Sequence, residues 1–134
     1  SSGRALKGYL LDTSVVLLAL ATPEKLSGGT KKAIERGPNH LSVISYWEVL
    51  LKAGKGKLLI EDTSAWWQTA QTDLAATALP LRPDHVARIP YLSAYHQDPF
   101  DRVLIAQAIV EELTLVRTDA EIARYISDGV KVLR

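Results

Sequence analysis

His96-Gln97-Asp98-Pro99-Phe100-Asp101-Arg102, followed by Val103-Leu104-Ile105-Ala106-Gln107-Ala108, is the stretch on which the reading of this chain turns. It reads as a loop passing into a helix. Asp98 suits the N-cap, and Pro99 suits the first helical position, where no backbone N–H is needed. Asp101 then falls in the first turn. Val103, Leu104, Ala106, Ala108 and Ile109 give a broad apolar face, which predicts a well-buried helix over residues 99–112. A carboxylate at the start of a buried helix either stabilises the positive end of the dipole or serves as a ligand. Capping accounts for Asp98 in full. For Asp101 the choice depends on what else reaches the same edge.

Working outward, short apolar runs alternate with helical patterns. Residues 8–11 read as a buried strand ending in a turn at Asp12, then a helix capped by Thr13 or Ser14 and ended by Pro23. Thr30 is expected to cap a short helix over 31–36, closed by Gly37-Pro38. Residues 40–43 read as a second strand. Ser45 then caps a helix, with Glu48 completing an S-x-x-E capping box. Residues 58–60 read as a short extended piece, 63–78 as a longer helix, 78–81 as a third strand and 83–89 as a helix, and 91–97 as a polar connector. Past the central helix, 114–117 read as a strand, Asp119 opens a last helix through Ile126, and 130–133 read as a final strand. This β-α order predicts an α/β fold with a central, mostly parallel sheet covered by helices on both faces.

Composition narrows the function classes. The chain has 134 residues, enough for one domain with a real core, and is 47% hydrophobic and 23% charged. Residues 8–134 read as a single domain and 1–7 as a cloning remnant or a disordered N-terminus. The 16 basic and 15 acidic side chains leave a net charge of +1, so any nucleic-acid surface has to be local. With no cysteine, a thiolate nucleophile, a disulfide framework and a cysteine zinc site are excluded. That absence fits a reducing compartment, and the expected location is the cytoplasm. No run approaches the roughly 20 apolar residues of a membrane span, so no membrane partner is expected.

Parallel sheets place ligand sites outside the carboxyl ends of their strands. Asp12 and Asp119 each follow a strand, and Glu48 opens the helix after the second strand. Asp101 starts the helix before the strand that leads to Asp119. Four acids at one edge repel, so their pKa values rise or a cation neutralises them. Hard oxygen donors favour Mg²⁺ or Mn²⁺, the usual apparatus for phosphoryl chemistry. Capping also explains each acid separately, and spacing does not decide between the two readings. His40, His85 and His96 form no metal-binding pattern; His96 is expected to order the loop. Trp47, Trp66 and Trp67 read as core or dimer contacts, with one of the adjacent pair Trp66 and Trp67 meeting a partner or a second packing layer.

The chain resembles the PIN-domain family, specifically the VapC-like toxins of toxin–antitoxin pairs. The resemblance lies in Tyr9-Leu10-Leu11-Asp12-Thr13-Ser14, in Ser42-Val43-Ile44-Ser45-Tyr46-Trp47-Glu48 with Lys52 and Gly56-Lys57-Leu58, in the central stretch 96–108, and in Leu115-Val116-Arg117-Thr118-Asp119. It implies a three-layer α/β/α sandwich and a Mg²⁺- or Mn²⁺-dependent endoribonuclease that cuts RNA, forms homodimers and is inhibited by a cognate VapB-like antitoxin. Carried over by position, the catalytic and metal-binding set is Asp12, Glu48, Asp101 and Asp119. Asp12, Asp101 and Asp119 would hold the ion, and Glu48 a second ion or the attacking water. Thr13, Ser14, Asp98, Arg102 and Thr118 would support them, Asp98 chiefly as a cap and Arg102 by pairing with an acid or a phosphate. One departure is visible: related chains often carry Thr where this one has Arg117, and Arg117 is a candidate to meet a phosphate. Two other readings stand beside this one. One is a catalytically weak module that mainly binds an antitoxin-like partner. The other is a Mg²⁺-dependent phosphatase or receiver-like domain, against which only Asp12 follows the first strand.

Overall fold

The computed structural model describes residues 7–93, 97–118 and 131–133. The elements run β1 (Tyr9–Leu11), α1 (Thr13–Ala21), α2 (Gly28–Arg36), β2 (Asn39–Ser42), α3 (Val43–Gly54), α4 (Thr63–Asp73), β3 (Ala76–Leu79), α5 (Pro83–Arg88), α6 (Pro99–Glu111), β4 (Thr114–Val116) and β5 (Lys131–Leu133), with short 3₁₀ turns at Pro23–Lys25 and Ile89–Tyr91. The strands form one sheet in the order β3-β2-β1-β4-β5, and every pairing is parallel. The expected α/β/α architecture is therefore present.

Consecutive strand residues point to opposite faces, and both faces of this sheet are covered. Leu10 and Leu115 pack with Leu104, Ile105 and Ala108 of α6. Leu11, Leu41 and Val116 pack on the other face with Val15 and Val16 of α1, Leu26, and Ala70 of α4. Leu10, Leu11, Leu115 and Val116 are fully buried, each worth about 2 kcal/mol in apolar transfer. The sheet is stapled to the chain before β2 by a close approach: the Tyr9 N–H donates to the Pro38 carbonyl at 2.9 Å, beside Gly8 at φ +106°.

Several boundaries differ from the sequence reading, each for a local reason. Asp12 itself, not Thr13 or Ser14, caps α1, accepting from the Ser14 N–H at 3.1 Å. Ser27 rather than Thr30 caps α2, accepting from the Thr30 N–H at 3.1 Å. Ser42 rather than Ser45 caps α3, accepting from the Ile44 N–H at 3.0 Å. Glu48 is then not a capping-box residue. The helix α4 stops at Asp73, where Ala75 turns to φ +46°, and Ala76–Leu79 pair with all of β2. Strand pairing thus overrides the helix propensity of the alanines. Residues 58–60 form no strand. Trp66 and Trp67 both flank the core cluster on the α1 side, and Trp67 also stacks on Tyr46 at 4.8 Å, so neither is turned wholly outward. His85 is fully buried, accepting at Nδ1 from the Arg82 N–H at 3.0 Å and lying 2.7 Å through Nε2 from Glu111. Expectations for residues 1–6, His96, Asp119 and the last helix lie outside the described residues.

Candidate functional site

The strand order makes β1 the place where the chain reverses direction across the sheet, with β2 on one side and β4 on the other. Crevices at the carboxyl ends of such strands hold ligands in open α/β sheets. Asp12 stands there, its N–H donating to the Val116 carbonyl at 3.0 Å across the β1/β4 gap. Its two oxygens do different work. Oδ2 caps α1 through Ser14, whose hydroxyl also donates to it. Oδ1 faces the guanidinium of Arg117 at 3.4 Å. Capping and the contact with Arg117 therefore coexist in one residue, which is only 3% exposed.

Asp101 arrives from the other side. Asp98 caps α6, accepting from Phe100 N–H at 2.8 Å and Asp101 N–H at 3.3 Å. The first turn is thereby fixed, and the Asp101 carboxylate reaches Arg117 Nη1 at 2.5 Å. One guanidinium nitrogen touches both carboxylates. Burial pushes the Asp101 carboxyl above the usual carboxylate range; Arg117 opposes that shift, and the nearby charges of Asp98 and Asp12 add to it. Arg117 follows β4 directly, and its N–H donates to the Leu133 carbonyl at 2.9 Å, which seats it on the sheet edge.

Thr13 donates from its hydroxyl to Ser45 Oγ at 2.8 Å, tying α1 to α3 beside Asp12. Glu48 lies one turn along α3 from Ser45, on the same helical face, and pairs with Lys52 at 3.0 Å. Glu48, Lys52, Lys55 and Lys57 line a recess of about 180 Å³ whose far wall is Asp98 and Phe100. Trp47, 54% exposed, sits edge-on to Phe100 at 5.2 Å. Arg102 donates to the Ser93 and Ile89 carbonyls at 2.7 and 3.2 Å, which anchors α6 to the preceding turn. Thr118 is exposed just beyond Arg117.

The structure thus brings Asp12 and Asp101 together across Arg117, places Glu48 nearby on α3, and leaves Asp119 outside the described residues. Among the described residues, no three acidic or histidine side chains converge as metal ligands. The donor set still suits a hard divalent cation: two carboxylates already face one positive charge, and the fold opposes the charge on one of them. Sequence reasoning placed Arg117 near the site but on a phosphate, whereas it lies on the two acids. Its place directly after a strand, like that of Asp12, was the available signal. Ser45 was read as a cap and is instead the partner of Thr13.

A PIN-domain model matches residues 9–126. The chain belongs to the PIN-domain family. Its fold is similar to that of VapBC2 from Rickettsia felis bound to a DNA fragment from its promoter, with 14% identity over 93% of this chain and 96% of that one and a TM-score of 0.70. DNA-bound VapBC from Salmonella typhimurium is similar at 15% identity over 93% and 96% of the two chains, with a TM-score of 0.69. FitAcB from Neisseria gonorrhoeae shares 20% identity over 94% and 96%, with a TM-score of 0.57. No curated protein matches the sequence at a significant level.

Proposed function

We propose that this chain is a divalent-metal-dependent endoribonuclease, the toxin of a cytoplasmic toxin–antitoxin pair, acting as a homodimer restrained by a VapB-like antitoxin. The observation that carries the reading is the pairing of Asp12 with Asp101 at the β1/β4 crevice of a PIN-domain chain. In this proposal Asp12 and Asp101 hold Mg²⁺ or Mn²⁺, with Asp119 and Glu48 completing the acidic set. The bound ion would lower the pKa of a water and offset charge on the phosphodiester. Ser14 fixes the Asp12 carboxylate, leaving Oδ1 turned to the crevice. Asp98 and Arg102 fix the turn that carries Asp101. Thr13 and Ser45 hold α3, and with it Glu48, against α1. Among the described residues, Lys52, Lys55 and Lys57 give the recess beside the acids positive charge suited to a phosphate backbone.

Two features support a protein partner. Leu17, Leu20, Leu58, Leu59 and Trp66 line an apolar recess of about 380 Å³, of the kind that seats an amphipathic helix. The structures of similar fold include toxin–antitoxin complexes. The reading is tested by incubating the partner-free protein with total RNA, in Mn²⁺ and then in EDTA. Discrete fragments that disappear in EDTA are expected. Cleavage that persists in EDTA would overturn the metal-dependent reading. A folded protein that cleaves nothing and binds no divalent ion would favour the binding-module alternative.

A further inference from the structure

We propose that Arg117 is a resident counter-cation: its guanidinium holds the place between Asp12 and Asp101 that a divalent ion needs, and it must withdraw for the ion to enter. The inference rests on the metal-site reading above and concerns how that site is filled. Arg117 is buried, only 7% exposed, and its Nη1 lies 2.5 Å from Asp101 Oδ1 and 3.4 Å from Asp12 Oδ1. A Mg²⁺ ion takes carboxylate oxygens at about 2.0–2.1 Å in a near-octahedral shell. Both acids present Oδ1 to this guanidinium, so an ion between them would compete for the same oxygens. A second cation beside the first is also repelled in a crevice with little water to screen it. The two states therefore exclude each other.

The alternative states have different costs. With Arg117 in place, the carboxylates are partnered and the metal-free domain is stable. With Arg117 withdrawn, the ion must replace the positive charge that faced buried Asp12 and half-buried Asp101. Binding and the position of Arg117 are then coupled, and the coupling is reciprocal: whatever draws Arg117 outward tightens ion binding, and ion binding frees a guanidinium at the mouth of the crevice. A long side chain on a backbone position pinned to Leu133 can make that move by rotamer change, without disturbing β4.

The test is the Mn²⁺ affinity of the full chain, read by electron paramagnetic resonance of the free ion, alongside thermal unfolding. Arg117→Ala is expected to bind Mn²⁺ about tenfold or more tighter than the wild type. It should unfold at a lower temperature without metal and recover more on adding Mn²⁺. Free guanidinium ion at sub-denaturing concentration should weaken Mn²⁺ binding to Arg117→Ala and leave the wild type unchanged. Arg117→Lys, which keeps the charge without the planar fork, should fall between the two, and it carries the test if the alanine variant does not fold. Equal or weaker Mn²⁺ binding by a folded Arg117 variant would overturn the inference while leaving the site itself intact. Absence of Mn²⁺ binding in the wild type and in every variant would overturn both the inference and the metal-site reading.

Discussion

Replacing Asp101 by asparagine should separate the site from the scaffold, and the structure sets the size of the effect. The Asp101 side chain is 18% exposed and accepts from Arg117 at 2.5 Å. A hydrogen bond to a charged group is worth about 1.5–3 kcal/mol, a neutral one about 1. Asparagine keeps an oxygen at Oδ1, so the loss is about 0.5–2 kcal/mol. Two facts reduce it. Burial already opposes the negative charge on Asp101, and the neutral amide removes that opposition. Arg117 also keeps Asp12 at 3.4 Å, so the guanidinium is not left without a carboxylate. The net destabilisation in EDTA should be about 1 kcal/mol, or about 4 °C in Tm for a domain of this size. Losing one of the proposed metal ligands should lower cleavage by on the order of a hundredfold or more. Urea unfolding followed by tryptophan fluorescence, beside fragment release from RNA in Mn²⁺, reads both quantities on one preparation. Wild-type cleavage by the variant would refute the site. A loss of more than about 3 kcal/mol would show that Asp101 is a keystone of the fold, as expected when a buried charge loses its sole partner.

The raised pKa of Asp101 gives a pH dependence with a definite sign. Its folded form holds a proton more firmly than its unfolded form, so metal-free stability relative to Asp101→Asn should fall as pH rises from the ordinary carboxylate pKa through the raised one. Mn²⁺ affinity should fall as pH drops through the same window, because the proton competes with the ion; titrations of both proteins across the acidic range check both trends. Gly8→Ala should cost about 2–3 kcal/mol in urea unfolding, since its Cβ would lie 2.2 Å from the Pro38 carbonyl oxygen at φ +106°. Lys55→Ala with Lys57→Ala, measured on a cleavage-deficient background, should weaken RNA binding and flatten its salt dependence by about 0.7 per lysine; an unchanged slope would place the RNA path elsewhere.

The parts of this molecule legible in the sequence are those that short-range chemistry decides. Asp98 and Pro99 specify the start of α6 almost alone, and the structure begins that helix where they require. The strand positions of Leu10, Leu11, Leu115 and Val116 follow from apolar runs ended by polar turns. Less legible were boundaries set by a choice between equivalent local signals. Ser42 and Ser45 are both fit to cap α3, and only the pairing of β2 with its neighbours selects Ser42. Ala76 and Thr77 read as helix, with the strand starting only at Ala78, until pairing with β2 is supplied. Asp12 and Asp101 could be assigned to one sheet edge from topology, but their meeting on a single guanidinium depends on side-chain reach across the β1/β4 crevice. Linear spacing carries no record of that distance.

The central claim is that the Asp12–Asp101 pair is the cation site, and anomalous diffraction from crystals soaked in Mn²⁺ tests it most directly. The account predicts a Mn²⁺ peak at the β1/β4 crevice within coordination distance of both carboxylates, with the Arg117 guanidinium displaced from between them. A well-diffracting, Mn²⁺-soaked crystal with no peak there, and Arg117 still bridging the two acids, would contradict it.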